Sequence, residues 1–108
     1  MANHTLRIAQ VAPETLPRGL AVVTRFAGPT NARGSRVIAT CKRDSETTFR
    51  ATVEYDHAGG LLEAHYSAAL ACLAKIEAQS DFFSFRFQAV ASTADGYIFT
   101  TEAVCIHA

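Results

Sequence analysis

Arg33 and Arg36 stand three residues apart in the segment Gly28-Pro29-Thr30-Asn31-Ala32-Arg33-Gly34-Ser35-Arg36, between two strand-like stretches. Two guanidinium forks on a loop that holds its shape suit a phosphate or carboxylate, which they grip by charge-assisted and often bidentate hydrogen bonds. The loop has the means to hold its shape. Gly28 and Gly34 permit positive φ, Pro29 fixes its own φ, and Thr30, Asn31 and Ser35 can bond back to the main chain. At about nine residues, 27–35, it is also longer than the usual two to five of a hairpin connection, and long ordered loops are disproportionately functional. The same residues would equally serve a structural loop whose arginines cover carbonyls or pair with acids. No Gly-Lys-Ser or Gly-Lys-Thr follows, and two glycines six apart are not a dinucleotide fingerprint.

Tyr55-Asp56-His57 with Glu63 and His65 raises a metal site or an acid–base pair. The two histidines are eight apart across Gly59-Gly60, a spacing that matches no zinc pattern, so capping or surface roles are expected for them. Asp56 would cap the helix approach, and His57 offers a ring for stacking on a base. Phe82, Phe83, Phe85, Phe87, Tyr97 and Phe99 cluster near the C-terminus beside arginines, as in platforms that stack bases, yet Phe83, Phe85 and Phe87 also have the spacing of a core face. No Ser, Cys or Thr sits in a recognisable nucleophile elbow and no carboxylate pair stands out, so a binding protein without cofactor or metal is expected rather than an enzyme.

The elements that must position these residues follow from periodicity. Leu20–Phe26, Arg36–Arg43 and Thr48–Tyr55 read as strands, the last with Phe49, Ala51, Val53 and Tyr55 on one face and Thr48, Arg50, Thr52 and Glu54 on the other. From Leu61 to about Ala78 the period lengthens, and Leu62, Tyr66, Ala69, Leu70, Leu73 and Ile76 define the expected buried face of an amphipathic helix. Packing through Leu62, Tyr66, Leu70, Leu73 and Ile76 onto Val37, Val53 and Phe85 is predicted. Phe83, Phe85, Phe87 and Ala89 then alternate with polar residues, Ala94-Asp95-Gly96 turns, and Tyr97, Phe99 and Thr101 alternate again. The fold class is α+β: a mainly antiparallel sheet of about five strands, βββ-α-ββ, with one helix on one face. That helix leaves the second face bare, which predicts a homo-oligomer.

The chain has 108 residues, enough for one core without staples. The expected domain is 18–108, preceded by an arm, 1–17, that is loose unless a partner subunit orders it. No stretch approaches the roughly 18 apolar residues that span a bilayer, and no apolar run follows a basic start, which argues against membrane insertion and secretion. Cys41, Cys72 and Cys105 are odd in number and widely spaced in apolar surroundings, as expected of reduced buried thiols in a cytoplasmic protein. Net charge is zero, but residues 1–43 carry a net +6 and residues 44–108 a net −6. Such asymmetry can mark an anionic partner, subunits meeting head to tail, or nothing if folding interleaves the halves.

The segment Phe26–Val37, with Val53-Glu54-Tyr55-Asp56-His57, His65-Tyr66-Ser67-Ala68-Ala69 and Asp95-Gly96-Tyr97, resembles a group of small proteins from phages and bacterial mobile elements. Their pattern is an aromatic, then Pro-Thr-Asn, then Arg-Gly-Ser-Arg, later Tyr-Asp, an Asn-His pair opening an alanine-rich helix, and a terminal Asp-Gly-Tyr strand. The likeness runs from about residue 24 to 101. The chain is also similar to the phage Thoeris anti-defence sponges of the first type, which are oligomeric and sequester cyclic ADP-ribose isomers, some also cyclic oligonucleotides, without cleaving them. That resemblance implies a small nucleotide ligand sequestered in the host cytoplasm. Arg33 and Arg36 would then grip phosphates, Thr30 and Asn31 would share the loop rim, and Tyr55, His57 or Tyr97 would face bases and sugars. Two departures stand out: Ala64-His65 replaces the Asn-His pair, and Gln79-Ser80-Asp81-Phe82 replaces an aromatic-rich helix ending. The alternative is a nucleic-acid- or protein-binding inhibitor of a bacterial defence system that uses the basic segment Arg18–Arg43. Zero net charge fits a small anion better than a long nucleic acid, whose affinity needs many phosphate contacts.

Overall fold

The computed structural model describes residues 9–16, 19–32, 34–55, 60–79 and 83–105. After a 3-10 turn at Pro13–Thr15 come β1 (Ala21–Ala27), β2 (Arg36–Lys42), β3 (Thr48–Glu54), α1 (Leu61–Glu77), β4 (Phe83–Ser92) and β5 (Gly96–Cys105). The strands form one antiparallel sheet in the order β3-β2-β1-β5-β4. The α+β reading βββ-α-ββ therefore holds. β3 and β4 are the two edges, so α1 must carry the chain from one side of the sheet to the other. Its 17 residues span about 25 Å, enough to cross five strands spaced about 4.8 Å apart.

Alternation sends Val22, Val37, Ala39, Cys41, Phe49, Ala51 and Phe99 under the helix, where they meet Ala68, Ala69, Cys72, Leu73 and Ile76 in one core. The buried stripe of α1 is His65, Ala68, Ala69, Cys72, Leu73 and Ile76. This corrects the predicted face: Leu62, Tyr66 and Leu70 are 45%, 42% and 49% exposed. Both stripes have helical spacing and share Ala69, Leu73 and Ile76. The small one wins because Ala68, Ala69 and Cys72 share the core with the small Ala39, Cys41 and Ala51 of the sheet, a close approach that Leu or Tyr would prevent.

Two further expectations change. The register of β4 against β5 shifts between Phe87 and Ala89, so Val90, paired with Phe99, falls on the helix side and Ala89, paired with Thr100, on the open side. Among the described residues no glycine has positive φ, so Gly28 and Gly34 are not needed for that purpose. Gly19 and Gly96 are needed for space, since a Cβ on Gly19 would collide with the Thr101 carbonyl and one on Gly96 with the Thr24 carbonyl.

Side chains fasten the element ends. Thr101 Oγ1 accepts the Leu20 N–H (2.9 Å) and donates to the Leu20 carbonyl (2.8 Å), fixing the start of β1. The Glu77 carboxylate accepts the Ser84 hydroxyl (2.6 Å) and the Phe85 N–H (2.7 Å), tying the end of α1 to β4. Asp44 accepts the N–H groups of Glu46 (2.9 Å) and Thr47 (2.8 Å), which pins the β2–β3 turn and holds its carboxyl below the usual range. In the segment expected to be a loose arm, the described turn Pro13–Thr15 buries no residue.

The helix face generates a test. Leu73→Ala should cost about 2–5 kcal/mol in urea unfolding, whereas Leu70→Ala should cost less than about 1 kcal/mol. Equal costs would return the helix to the face predicted from its large residues.

Candidate functional site

The exit of β1, the end of β3, the start of α1 and the β4–β5 turn meet at one end of the sheet. They enclose a cavity of about 420 Å³ lined by Phe26, Tyr55, Leu61, His65, Tyr97 and the turn residues Ser92 to Gly96. Its walls are aromatic and mutually braced. Phe26 and Tyr55 meet edge to face with centroids 5.4 Å apart, as do His65 and Tyr97 at 5.0 Å. The turn is held by Thr93 N–H to the Gly96 carbonyl (2.9 Å) and Gly96 N–H to Thr93 Oγ1 (3.0 Å), and the Phe26 N–H reaches the Asp95 carbonyl (3.2 Å).

His65 forms part of the floor. It is 1% exposed, and its Nδ1 lies 2.7 Å from Thr24 Oγ1. The Thr24 hydroxyl also points to the Tyr97 carbonyl at 3.4 Å. Having one proton, it serves both contacts only if His65 donates from Nδ1 and Thr24 passes its own proton on to Tyr97. Burial pushes the imidazole pKa below its usual 6.5, so the ring is held neutral. The surface or capping role expected from sequence is thus corrected for His65: it is a core residue that braces Tyr97.

A second cavity of about 630 Å³ lies beside the first, lined by Ala32, Gly34, Ser35, Arg36, Thr52, Glu54 and Tyr55. Tyr55 belongs to both. Its N–H donates to the Ser35 carbonyl (3.0 Å), which fastens the loop to the end of β3. Arg36 pairs in register with Glu54 and donates weakly from Nη1 to the Gly34 carbonyl (3.5 Å), while its buried Nε has no hydrogen-bond partner among the described residues.

The residues singled out from sequence divide accordingly. Tyr55 and Tyr97 come together in the aromatic cavity, and Arg36 and Tyr55 in the polar one. Thr30 and Asn31 are exposed on the loop and line neither; Thr30 Oγ1 accepts the Ala32 N–H (3.3 Å), a turn-shaping bond. Arg33, Asp56, His57 and Phe82 lie outside the described residues. Phe26, Asp95 and Gly96 were not recognised as cavity residues, because only the antiparallel pairing of β1 with both β2 and β5 brings the loop end of β1 to the distant turn.

The buried thiols lie elsewhere. Cys72 is pushed up to about 11 by burial, Cys41 is also raised by burial, and Cys72 Sγ sits 3.5 Å from the Phe49 carbonyl in the core. Thiols held protonated in this way are poor nucleophiles. Among the described residues no group of three or more His, Cys, Asp or Glu could hold a metal ion.

A neutral buried histidine couples the cavity floor to pH. The unfolded chain binds a proton at this histidine below about pH 6.5 while the folded one resists it, so its contribution to stability is full above that pH and falls away below it. The stability advantage of the parent over His65→Asn should therefore shrink as pH drops from 7.5 to 5, by at most about 1.4 kcal/mol per pH unit. A constant difference across that range in urea titrations would show that His65 takes up its proton without leaving the fold.

Compared with known proteins, the chain matches no family model, no curated protein and no solved structure.

Proposed function

We propose that the protein is a non-enzymatic binder that sequesters a small nucleotide. The observation that carries this reading is the sharing of Tyr55 between an aromatic-walled cavity and one that holds a guanidinium whose Nε has no partner among the described residues. A base between Tyr55 and Tyr97 would gain about 1–3 kcal/mol from stacking, and a phosphate reaching around Tyr55 would meet Arg36. The rings are already braced by Phe26 and His65, so little ordering remains to be done on binding. The setting that goes with this reading is phage anti-defence against a Thoeris-type signal in the bacterial cytoplasm, and it rests on the loop resemblance alone.

The test is calorimetric titration with cyclic ADP-ribose isomers and cyclic dinucleotides, followed by denaturation and mass analysis of the released ligand. At least one should bind and be recovered unchanged. Tyr97→Ala and Arg36→Lys should each weaken binding by about tenfold or more while the melting temperature of Arg36→Lys stays near the parent's, since lysine keeps the charge but loses the planar fork. Arg33→Lys is the parallel arm for the other loop arginine. Conversion of the ligand, or equal binding by parent and both lysine variants, would defeat the proposal.

The same reading includes a homo-oligomer, with its contact on the helix side. Leu62 and Tyr66 stand exposed on α1 and, with Val90 of β4, line a groove of about 450 Å³ in which Tyr66 packs on Phe87 with centroids 5.0 Å apart; Leu70 is exposed on the same helix. Light scattering should give a multiple of 11.6 kDa for the parent and a smaller assembly for Tyr66→Lys. A parent that scatters as an 11.6 kDa monomer would remove this part.

A further inference from the structure

The face of the sheet turned away from α1 bears a set of cations that the nucleotide reading does not use. Alternation places Arg25 of β1, Lys42 of β2 and Arg50 of β3 there, all exposed. Arg25, Thr40, Lys42, Val23 and Ala21 line a shallow cavity of about 460 Å³, and Arg50 is the cross-strand partner of Thr40. The one ion pair among the described residues is Arg86–Glu102 at 2.7 Å, on the same face but at the β4–β5 side. Arg25, Lys42 and Arg50 therefore have no carboxylate partner among the described residues.

We infer that this open face is a docking surface for the phosphate backbone of a nucleic acid strand, a site independent of the aromatic cavity. Strand geometry sets the three cations about 8–14 Å apart, too far to converge on one phosphate but suited to successive phosphates of a chain. Thr40 lies among them, and Thr48 and Thr52 flank Arg50 on β3, short hydroxyl donors of the kind that complement guanidinium and ammonium groups on phosphate oxygens. No aromatic side chain stands on the described part of this face, so the contact reads charge and spacing rather than bases. A protein partner would want buried aromatic anchors that this face lacks. A second copy docked face to face would set two faces with an excess of arginine and lysine over Glu54 and Glu102 against each other.

The experiment is fluorescence anisotropy of the full chain with a labelled oligonucleotide, single-stranded and as duplex, over a salt series starting at about 50 mM. Three phosphate contacts give a slope of log K against log salt of about −2 for a single strand and about −3 for a duplex, and the form bound more tightly at the same salt is the preferred one. The triple variant Arg25→Gln, Lys42→Gln, Arg50→Gln should bind at least about tenfold more weakly with a flattened slope, its fold checked by an unchanged circular dichroism spectrum and melting curve. Should these changes disturb the fold, the parent's salt slope and competition by polyglutamate decide. The inference is overturned if neither oligonucleotide binds at about 100 μM protein in low salt, or if the parent's slope is near zero. It is also overturned if a folded triple variant binds like the parent, if polyglutamate competes as well as nucleic acid, or if Tyr97→Ala abolishes the binding.

Discussion

The contact on which the structure rests is the close seat of α1 on β1–β3. Ala68, Ala69 and Cys72 share one buried core with Ala39, Cys41 and Ala51, to which Val22, Val37, Leu73, Ile76, Phe49 and Phe99 add the larger side chains. Because small faces small, the helix turns its alanine stripe inward and displaces its own large residues toward solvent or toward β4. The same rotation drives His65 beneath the β1–β5 pair, where its Nδ1 meets the Thr24 hydroxyl, which in turn points to the Tyr97 carbonyl. Gly96 is part of that constraint, since any side chain there would strike the Thr24 carbonyl and crowd the His65 ring at 2.9 Å.

Strand positions and helix bounds were legible in the sequence because alternation and helical spacing are local signals. The buried face of the helix was not. Leu62, Tyr66 and Leu70 outweigh alanine and cysteine on any hydrophobicity count, but the choice between two stripes with shared members depends on how near the sheet lets the helix come. The register shift after Phe87 was hidden for a related reason. An extra residue changes face without changing composition, so Ala89 and Val90 look interchangeable until Thr100 and Phe99 are known to oppose them.

The candidate site was legible in part. The loop between β1 and β2 announced itself by turn chemistry, and Tyr55 and Tyr97 by their aromatic character beside it. That these two rings share a cavity is a product of the sheet order, in which β5 inserts beside β1 rather than extending the sheet past β3. Arg36 and Tyr97 have opposite sides in the pleat, so the two kinds of chemistry meet only at Tyr55, where β3 ends and the face distinction lapses. A ligand that used both would have to pass over that end of the sheet.

The same strand order turns a statistical asymmetry into a physical one. The basic N-terminal part of the chain supplies β1 and β2, which are adjacent, and their outward residues place Arg25, Arg36 and Lys42 on one surface with Arg50 of β3 beside them. The acids of the second half are not interleaved evenly among these cations. Glu54 sits at the end of β3 opposite Arg36, Glu102 is occupied by Arg86, Glu77 is spent on Ser84 and Phe85, and Asp95 lies at the β4–β5 turn. A chain of zero net charge thus presents a positive flat face and an apolar helix-side groove. Like charge opposes pairing of the positive faces, whereas the groove carries Leu62, Tyr66, Phe87 and Val90 with Glu63 as its one charged lining residue. Self-association through the bare sheet face, the route suggested by having one helix for two faces, is therefore the costlier of the two, and the proposed contact between copies falls on the side where the helix has turned its large residues out.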